Sequence, residues 1–399
     1  MKIVTFLGTG NYQQATYVFE DQEFRTDLFP EALATLRQPE EMLVLLTQEA
    51  RSKHWTTLQE RLAGKVPLHP IDIPSGKSEE ELWQIFQALA GSLDKGEEVT
   101  FDVTHAFRSL PILALLATAY LRVVNQVRLA AILYGAYEAK DAAGRAPVFN
   151  LTPFVDLLDW VTATDRFLRS GDATDLADLL CEAHQLPWRT AGTPAREELP
   201  RHLKKLANNL RDLTQAFLLA RPAEIARHAD TVNNELPKAE PEMARFAQPF
   251  VLLLERMRPH VASLAADDLR TQRCLVHRYI KHHHTVQALT LAREWLINWV
   301  CVGLNLDRRK ERKDAEDALN HLGRRQRNSP IDGEPSPLVE RLAALPQVKE
   351  VLHAWDSIAD LRNDVAHCGF RESPRSSRSI LEAVKQIADH LDRLSLPEG

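Results

Sequence analysis

Lys2-Ile3-Val4-Thr5-Phe6-Leu7-Gly8-Thr9-Gly10-Asn11-Tyr12 opens the chain as a short apolar run followed by a glycine-punctuated turn. A run without polar alternation reads as a strand buried on both faces, and the glycines let the backbone approach a ligand. Runs of the same kind recur at Met42–Thr47, Val66–Ile73, Val99–Val103 and Val127–Tyr134. Between them Ala50–Leu62, Glu79–Leu93 and Ser109–Val124 are long and periodic enough to be crossover helices. Ser78 ahead of Glu79, Glu80 and Glu81 supplies a cap and an acidic first turn for one of these helices. The alternation predicts right-handed β-α-β units and a doubly wound, Rossmann-like α/β domain.

Two pairs of runs depart from that pattern. Thr16–Glu20 and Glu23–Thr26 predict a small hairpin beside the first strand, and Leu129–Glu138 with Pro147–Leu151 predicts a second ribbon around Asp141–Arg145. The α/β domain is expected to span 1–152. From 153 to 399 strand signals stop and the chain reads as all-α, its periodicity broken by Pro187, Pro194, Pro222, Pro237, Pro241 and Pro259. Asn328–Pro337 reads as a loop between helices.

At 399 residues the chain is long enough for two cores, and 44% hydrophobic with 26% charged residues is ordinary globular composition. A net charge of −6 excludes a protein coated in phosphate-neutralising cations, so any nucleic-acid contact must be local. Arg308, Arg309, Lys310, Arg312 and Lys313 cluster, as do Arg324, Arg325 and Arg327; both read as solvated faces or loops. The four cysteines are widely spaced, which suggests neither a zinc knuckle nor a disulfide framework. No leader pattern and no run of about 20 apolar residues is found, so a cytoplasmic protein without a membrane span is expected.

In a doubly wound sheet, ligands gather beyond the carboxyl ends of the strands. Two loops fall there. Gly8-Thr9-Gly10-Asn11-Tyr12 lacks the third glycine of the dinucleotide fingerprint and is followed by a strand. Asp102-Val103-Thr104-His105-Ala106-Phe107-Arg108-Ser109-Leu110-Pro111 brings polar groups and a cation to a helix start, which suits a phosphate-bearing ligand. Capping by Asp102 or Ser109 and a surface ion pair of Arg108 are the plain structural alternatives.

Near the other end, Ala354 to Gly369 reads as a helix that stops at its glycine and carries Arg362-Asn363 and Ala366-His367. On an ideal helix positions 362 and 367 are about 140° apart, so the two side chains meet only if the helix end unwinds. His277, His282, His283 and His284 lack a carboxylate at ligand spacing, and no metal site is expected. His184, His202 and His228 read as structural or exposed.

Taken together, LGTGNY, DVTHAFRSLP, and LYGAYEAK followed by FNLTPF resemble the CARF domain of CRISPR-associated CARF/HEPN proteins of type III systems, over nearly all of residues 1–155. The Arg362-Asn363…His367 pattern at a helix end resembles the HEPN ribonuclease signature, with a HEPN core at about 270–399. The resemblance implies a homodimer, or a higher oligomer, whose paired CARF loops hold a cyclic oligoadenylate. The ligand residues it implies are Gly8, Thr9, Gly10, Asn11, Thr104, His105, Arg108 and Ser109. Cyclic tetra-adenylate is the preferred activator and cyclic hexa-adenylate the second. It further implies a metal-independent, cofactor-free cut in single-stranded RNA by Arg362, Asn363 and His367, leaving a 2′,3′-cyclic phosphate. Three other readings stand beside this one: a sensor without nuclease activity, a sensor that controls transcription, and a sensor whose Thr104 and His105 degrade its own activator.

Overall fold

A computed structural model describes residues 1–106, 110–190, 199–330 and 336–397. The chain divides into two compact units, Met1–Asp159 and Trp160–Gly399.

The first unit is a mixed α/β structure. Its strands are β1 (Lys2–Leu7), β2 (Ala15–Phe19), β3 (Gln22–Thr26), β4 (Glu41–Leu46), β5 (Leu68–Asp72), β6 (Glu98–Asp102), β7 (Arg128–Gly135) and β8 (Arg145–Asn150). They form one sheet in the order β3-β2-β8-β7-β6-β1-β4-β5. β5, β4, β1, β6 and β7 are parallel, and β8 runs antiparallel to β7. Each of the five expected parallel strands is present, displaced by two residues or fewer at either end.

The hairpin of β2 and β3 forms as expected, but not beside β1. β2 pairs in parallel with β8, at the far edge of the sheet. Strand neighbours this distant in sequence leave no local trace, which is why the run pattern misplaces it.

Side chains alternate through the sheet. Ile3, Leu7, Met42, Val44 and Leu133 face one layer with α1 (Phe29–Arg37) and the helical segment 48–62. Val4, Phe6, Leu43, Leu45 and Phe101 face the other, under α4 (Glu79–Ala90) and α5 (Leu110–Val124). The segment 48–62 is α2 (Gln48–Ala50), a π-helical turn Arg51–Trp55, and α3 (Thr56–Leu62). Ser78 caps α4 as expected, accepting from the Glu81 amide. α1 has no counterpart in the sequence reading, because it is nine residues long and has no side-chain cap at Leu28.

The second unit is all-helical. It holds the rest of α6 (Thr152–Ser170), then α7 (Thr174–Thr190), α8 (Leu203–Leu218), α9 (Pro222–Phe246), α10 (Gln248–Ala262), α11 (Leu269–Lys281), α12 (Thr285–Gly303), α13 (Arg312–Gln326), α14 (Pro337–Ala343), α15 (Val348–Ala366) and α16 (Ser377–Arg393). α12 is apolar around most of its girth and packs against α11, α13, α15 and α16. Its two buried indoles keep their N–H groups bonded, Trp295 to the Leu269 carbonyl at 2.7 Å and Trp299 to the Ser395 carbonyl at 2.8 Å.

The expected proline breaks do not all occur. Pro187, Pro237, Pro241 and Pro259 lie inside helices, Pro222 starts α9, and Pro194 lies outside the described residues. In α9 the buried Leu236, Ala239 and Met243 anchor the helix across both prolines. Packing outweighs the local cost of a lost N–H. No helix among the described residues is long and apolar enough to cross a membrane.

Candidate functional site

Chain order explains where the first site lies. After β1 and the β2–β3 hairpin the chain places β4 and β5 on one side of β1, then returns to its other side for β6 and β7. The carboxyl ends of β1 and β6 therefore border a topological switch point, where loops diverge and leave a crevice.

A cavity of about 540 Å³ occupies it, and Gly8, Thr9, Gly10, Asn11, Thr104 and His105 all line it. Arg108 and Ser109 lie outside the described residues.

The floor is fixed by a buried relay. Thr5 donates to Asp102 Oδ2 at 2.6 Å, tying β1 to β6, and Asp102 Oδ1 accepts the Thr104 amide at 2.8 Å. Thr104 Oγ1 in turn accepts the Gly135 amide at 2.7 Å. Burial pushes the Asp102 carboxyl up to about 6. Asp102 thus organises its own loop.

The glycine loop is held from behind. The π-helical turn points Lys53 Nζ at the Thr9 carbonyl (2.7 Å) and His54 Nε2 at the Gly10 carbonyl (2.8 Å). Among the described residues the amides of Thr9, Gly10 and Asn11 have no partner, and free amides at a strand end suit an anion. A Cβ on Gly8 would sit 2.9 Å from the His105 carbonyl oxygen, so the two loops meet only because position 8 has no side chain.

Tyr12 closes the loop. Its hydroxyl accepts the Gly8 amide at 2.8 Å, and its ring lies between His105 and His54, with centroids 3.9 and 4.6 Å away. His105 is a neutral acceptor: burial lowers its pKa to about 4, and Nε2 receives the Phe29 amide at 3.2 Å. Tyr134 and Tyr137 add aromatic lining, with Lys140 over the Tyr137 ring at 4.0 Å. Asp27 also lines the cavity. Burial opposes its charge, yet the Arg61 guanidinium at 2.6 Å holds its carboxyl below the usual range. Glu138 is a second carboxylate in the lining and accepts the Tyr134 hydroxyl at 3.1 Å, so the lining offers an anion its free amides, with Lys53 behind them, and offers a base its aromatic faces.

Tyr12, Lys53, His54, Tyr134 and Tyr137 were not identified from sequence. In the sequence Tyr12 stands out only as the end of the glycine loop, and a π turn leaves no mark on an apolar pattern.

The second candidate site lies on α15, in the helical unit. Leu352, Trp355, Ile358 and Leu361 bury one face, while Arg362 and Asn363 are exposed in the last turn. The helix stops at Ala366, three residues before the glycine expected to end it. His367 is the cap, and Cys368 and Gly369 both take left-handed conformations, at φ +52° and +78°. Two such residues in succession turn the chain off the helix axis. Among the described residues no side-chain bond engages Arg362, Asn363 or His367, and His367 is exposed. These groups meet solvent, with the His367 ring one residue beyond the helix.

What fixes this end is acidic. Asp364 is 2% exposed and accepts the Arg375 amide at 2.9 Å. Asp360 takes Arg375 at 2.5 Å and Arg371 at 3.3 Å. Burial works against the Asp360 charge, but those two guanidiniums outweigh it and hold its carboxyl below the usual range. The segment following His367 is therefore strapped back onto α15.

The remaining histidines are spread out. His277 pairs with Asp392 at 2.9 Å, His284 bonds the Ser170 carbonyl at 3.2 Å, and His202 pairs with the buried Glu235 at 2.6 Å. Among the described residues no three His, Cys, Asp or Glu side chains converge as a metal-ligand set.

A family model described as CRISPR-associated protein MJ1674, second domain, matches residues 156–263. This similarity supports a CRISPR-associated protein. CRISPR-associated protein MJ1674 of Methanocaldococcus jannaschii is 29% identical over 111 residues, covering 27% of this chain and 18% of that relative. The alignment thus spans less than a fifth of the relative's length. The family match contains neither the Gly8 loop nor Arg362 and His367.

Proposed function

We propose that the chain is a ligand-gated endoribonuclease of CRISPR antiviral defence, with a CARF-type sensor in the first unit and a HEPN-type nuclease in the second. The observation that carries this reading is the cavity at the switch point, where two sequence-distant loops bring together free amides and aromatic rings, with Lys53 behind the glycine loop. A cyclic oligoadenylate presents repeated phosphates and adenines to such a lining, tetra-adenylate first and hexa-adenylate second. Two copies related by a two-fold axis match a ring better than one cleft does. The exposed Ile112, Leu116, Tyr120 and Val123, spaced along one face of α5, support pairing through that helix.

The chemistry belongs to Arg362, Asn363 and His367. The ribose 2′-oxygen attacks the adjacent phosphorus while His367 accepts its proton. Arg362 stabilises charge on the phosphoryl oxygens, and the P–O5′ bond breaks as the 5′-oxygen takes up a proton. One product ends in a 2′,3′-cyclic phosphate, the other in a 5′-hydroxyl. Asn363 steadies the phosphate.

Two details of the cavity favour a sensor over a site that degrades its ligand. His105 Nε2 already accepts an amide, and its low pKa makes it a poor base near neutrality. The test is incubation of the full chain with labelled single-stranded RNA in EDTA, alone and with each cyclic oligoadenylate. Cutting that needs the ring and leaves the ring intact supports the reading. Loss of the ring without RNA cleavage sinks it.

A further inference from the structure

We propose that Phe370 is a base-stacking platform for single-stranded nucleic acid, set beside His367 to fix which nucleotide meets the cut. This deepens the nuclease reading above and rests on it.

Phe370 is 92% exposed, the most exposed large apolar side chain among the described residues. Its backbone is not loose. Cys368 and Gly369 turn left-handed to deliver it, and its amide donates to the His367 carbonyl at 2.9 Å. Five residues later Arg375 is fastened to Asp364 and Asp360, so the segment carrying Phe370 is tied down at both ends. The turn thus presents one flat apolar face to solvent, open to a stacking partner.

The charge around it selects the occupant. Arg371 and Arg375 are paired with Asp360 and Arg378 with Glu382, so the guanidinium left without a partner among the described residues is that of Arg362, in the last turn of α15. An aromatic face with one unpaired guanidinium near it suits an unpaired base and its adjacent phosphate, since every base offers a π-face. A paired strand hides its bases from such a platform.

The experiment is fluorescence anisotropy of a labelled single-stranded 2′-O-methyl RNA, which binds but has no free nucleophile. It is titrated with the full chain and cyclic tetra-adenylate, for wild type, Phe370→Leu and Phe370→Trp. Leucine keeps the apolar bulk and loses the ring, so binding should weaken by about 5- to 150-fold, the effect of one stacked base. Tryptophan should retain wild-type affinity, with its fluorescence quenched on saturation, and duplex RNA should not sense Phe370→Leu. Wild-type affinity in Phe370→Leu overturns the platform. So does a loss of binding that tracks a fall in oligomer mass, which would make Phe370 a contact between copies. Unmodified RNA separates the two claims: a chain that binds the blocked strand through Phe370 yet never cuts RNA keeps the platform and loses the nuclease.

Discussion

Arg362 and His367 owe the proposed reaction different services, one charge stabilisation and the other proton transfer. His367→Ala and Arg362→Ala should each lower RNA cleavage by on the order of 100-fold or more. Both side chains are exposed and have no partner among the described residues, so melting temperature and cyclic oligoadenylate binding should stay at wild-type values. Wild-type turnover in either variant rejects the assignment. His105 makes a prediction of another kind. Its folded pKa of about 4 lies below the ordinary 6.5, so between those values the unfolded chain takes up a proton that the folded chain refuses. Stability is therefore lost as pH falls, by at most about 1.4 kcal/mol per pH unit. Asp102 runs the other way: raised from 3.8 to about 6, it costs stability as pH rises through that window and offsets His105. His105→Gln keeps an acceptor for the Phe29 amide and removes the titration. Its thermal midpoint should fall less than that of wild type between pH 7 and pH 4, and a parallel fall shows His105 to be accessible and ordinary. At this scale the sequence exposes the residue types but not their pairing. Thr104 and His105 stand out as polar groups at a strand end, whereas the Thr5–Asp102 bond joins positions ninety-seven residues apart.

Elements decide how those residues meet. The runs of β1, β4, β6 and β7 and the helices between them are legible because central parallel strands need continuous hydrophobic stretches, while β5, at the sheet edge with no buried residue, is the weakest of the five. The loops at their carboxyl ends follow from that alone. What stays hidden depends on pairing or packing: the hairpin beside β8, α1 without a side-chain cap, and the π turn that aims Lys53 and His54 at the glycine loop. In the helical unit, Gly369 marks the end of α15 correctly as a region. Cys368 turning left-handed first shortens the helix to Ala366. The strap that follows is testable. Asp364→Ala removes the acceptor of the Arg375 amide, a loss of about 0.5–1.5 kcal/mol. Hydrogen exchange should rise over the segment from 369 to 376, and RNA cleavage should fall with it. Unchanged protection there means the strap is not held by Asp364.

At the scale of the whole molecule the claim is that a ligand in one unit controls chemistry in the other. A ligand shifts an equilibrium only by its differential affinity for the two states, so gating requires that the active and inactive forms bind the ring unequally. Pairing through α5 belongs to the same claim. Leu116→Asp, on the exposed face, should yield a monomer by mass measurement and abolish RNA cleavage, whereas a monomeric wild type would remove the shared-pocket argument. The most direct test titrates RNA cleavage in EDTA against cyclic tetra-adenylate for wild type and Gly8→Ala. The added methyl meets the His105 carbonyl at 2.9 Å and forces the two ligand loops apart, far from Arg362 and His367 in sequence. The account predicts no cutting without the ring, saturable activation of wild type, and a midpoint raised at least tenfold in Gly8→Ala with its RNA-cutting residues untouched. Equal cleavage with and without the ring, or identical midpoints for the two chains, would contradict it.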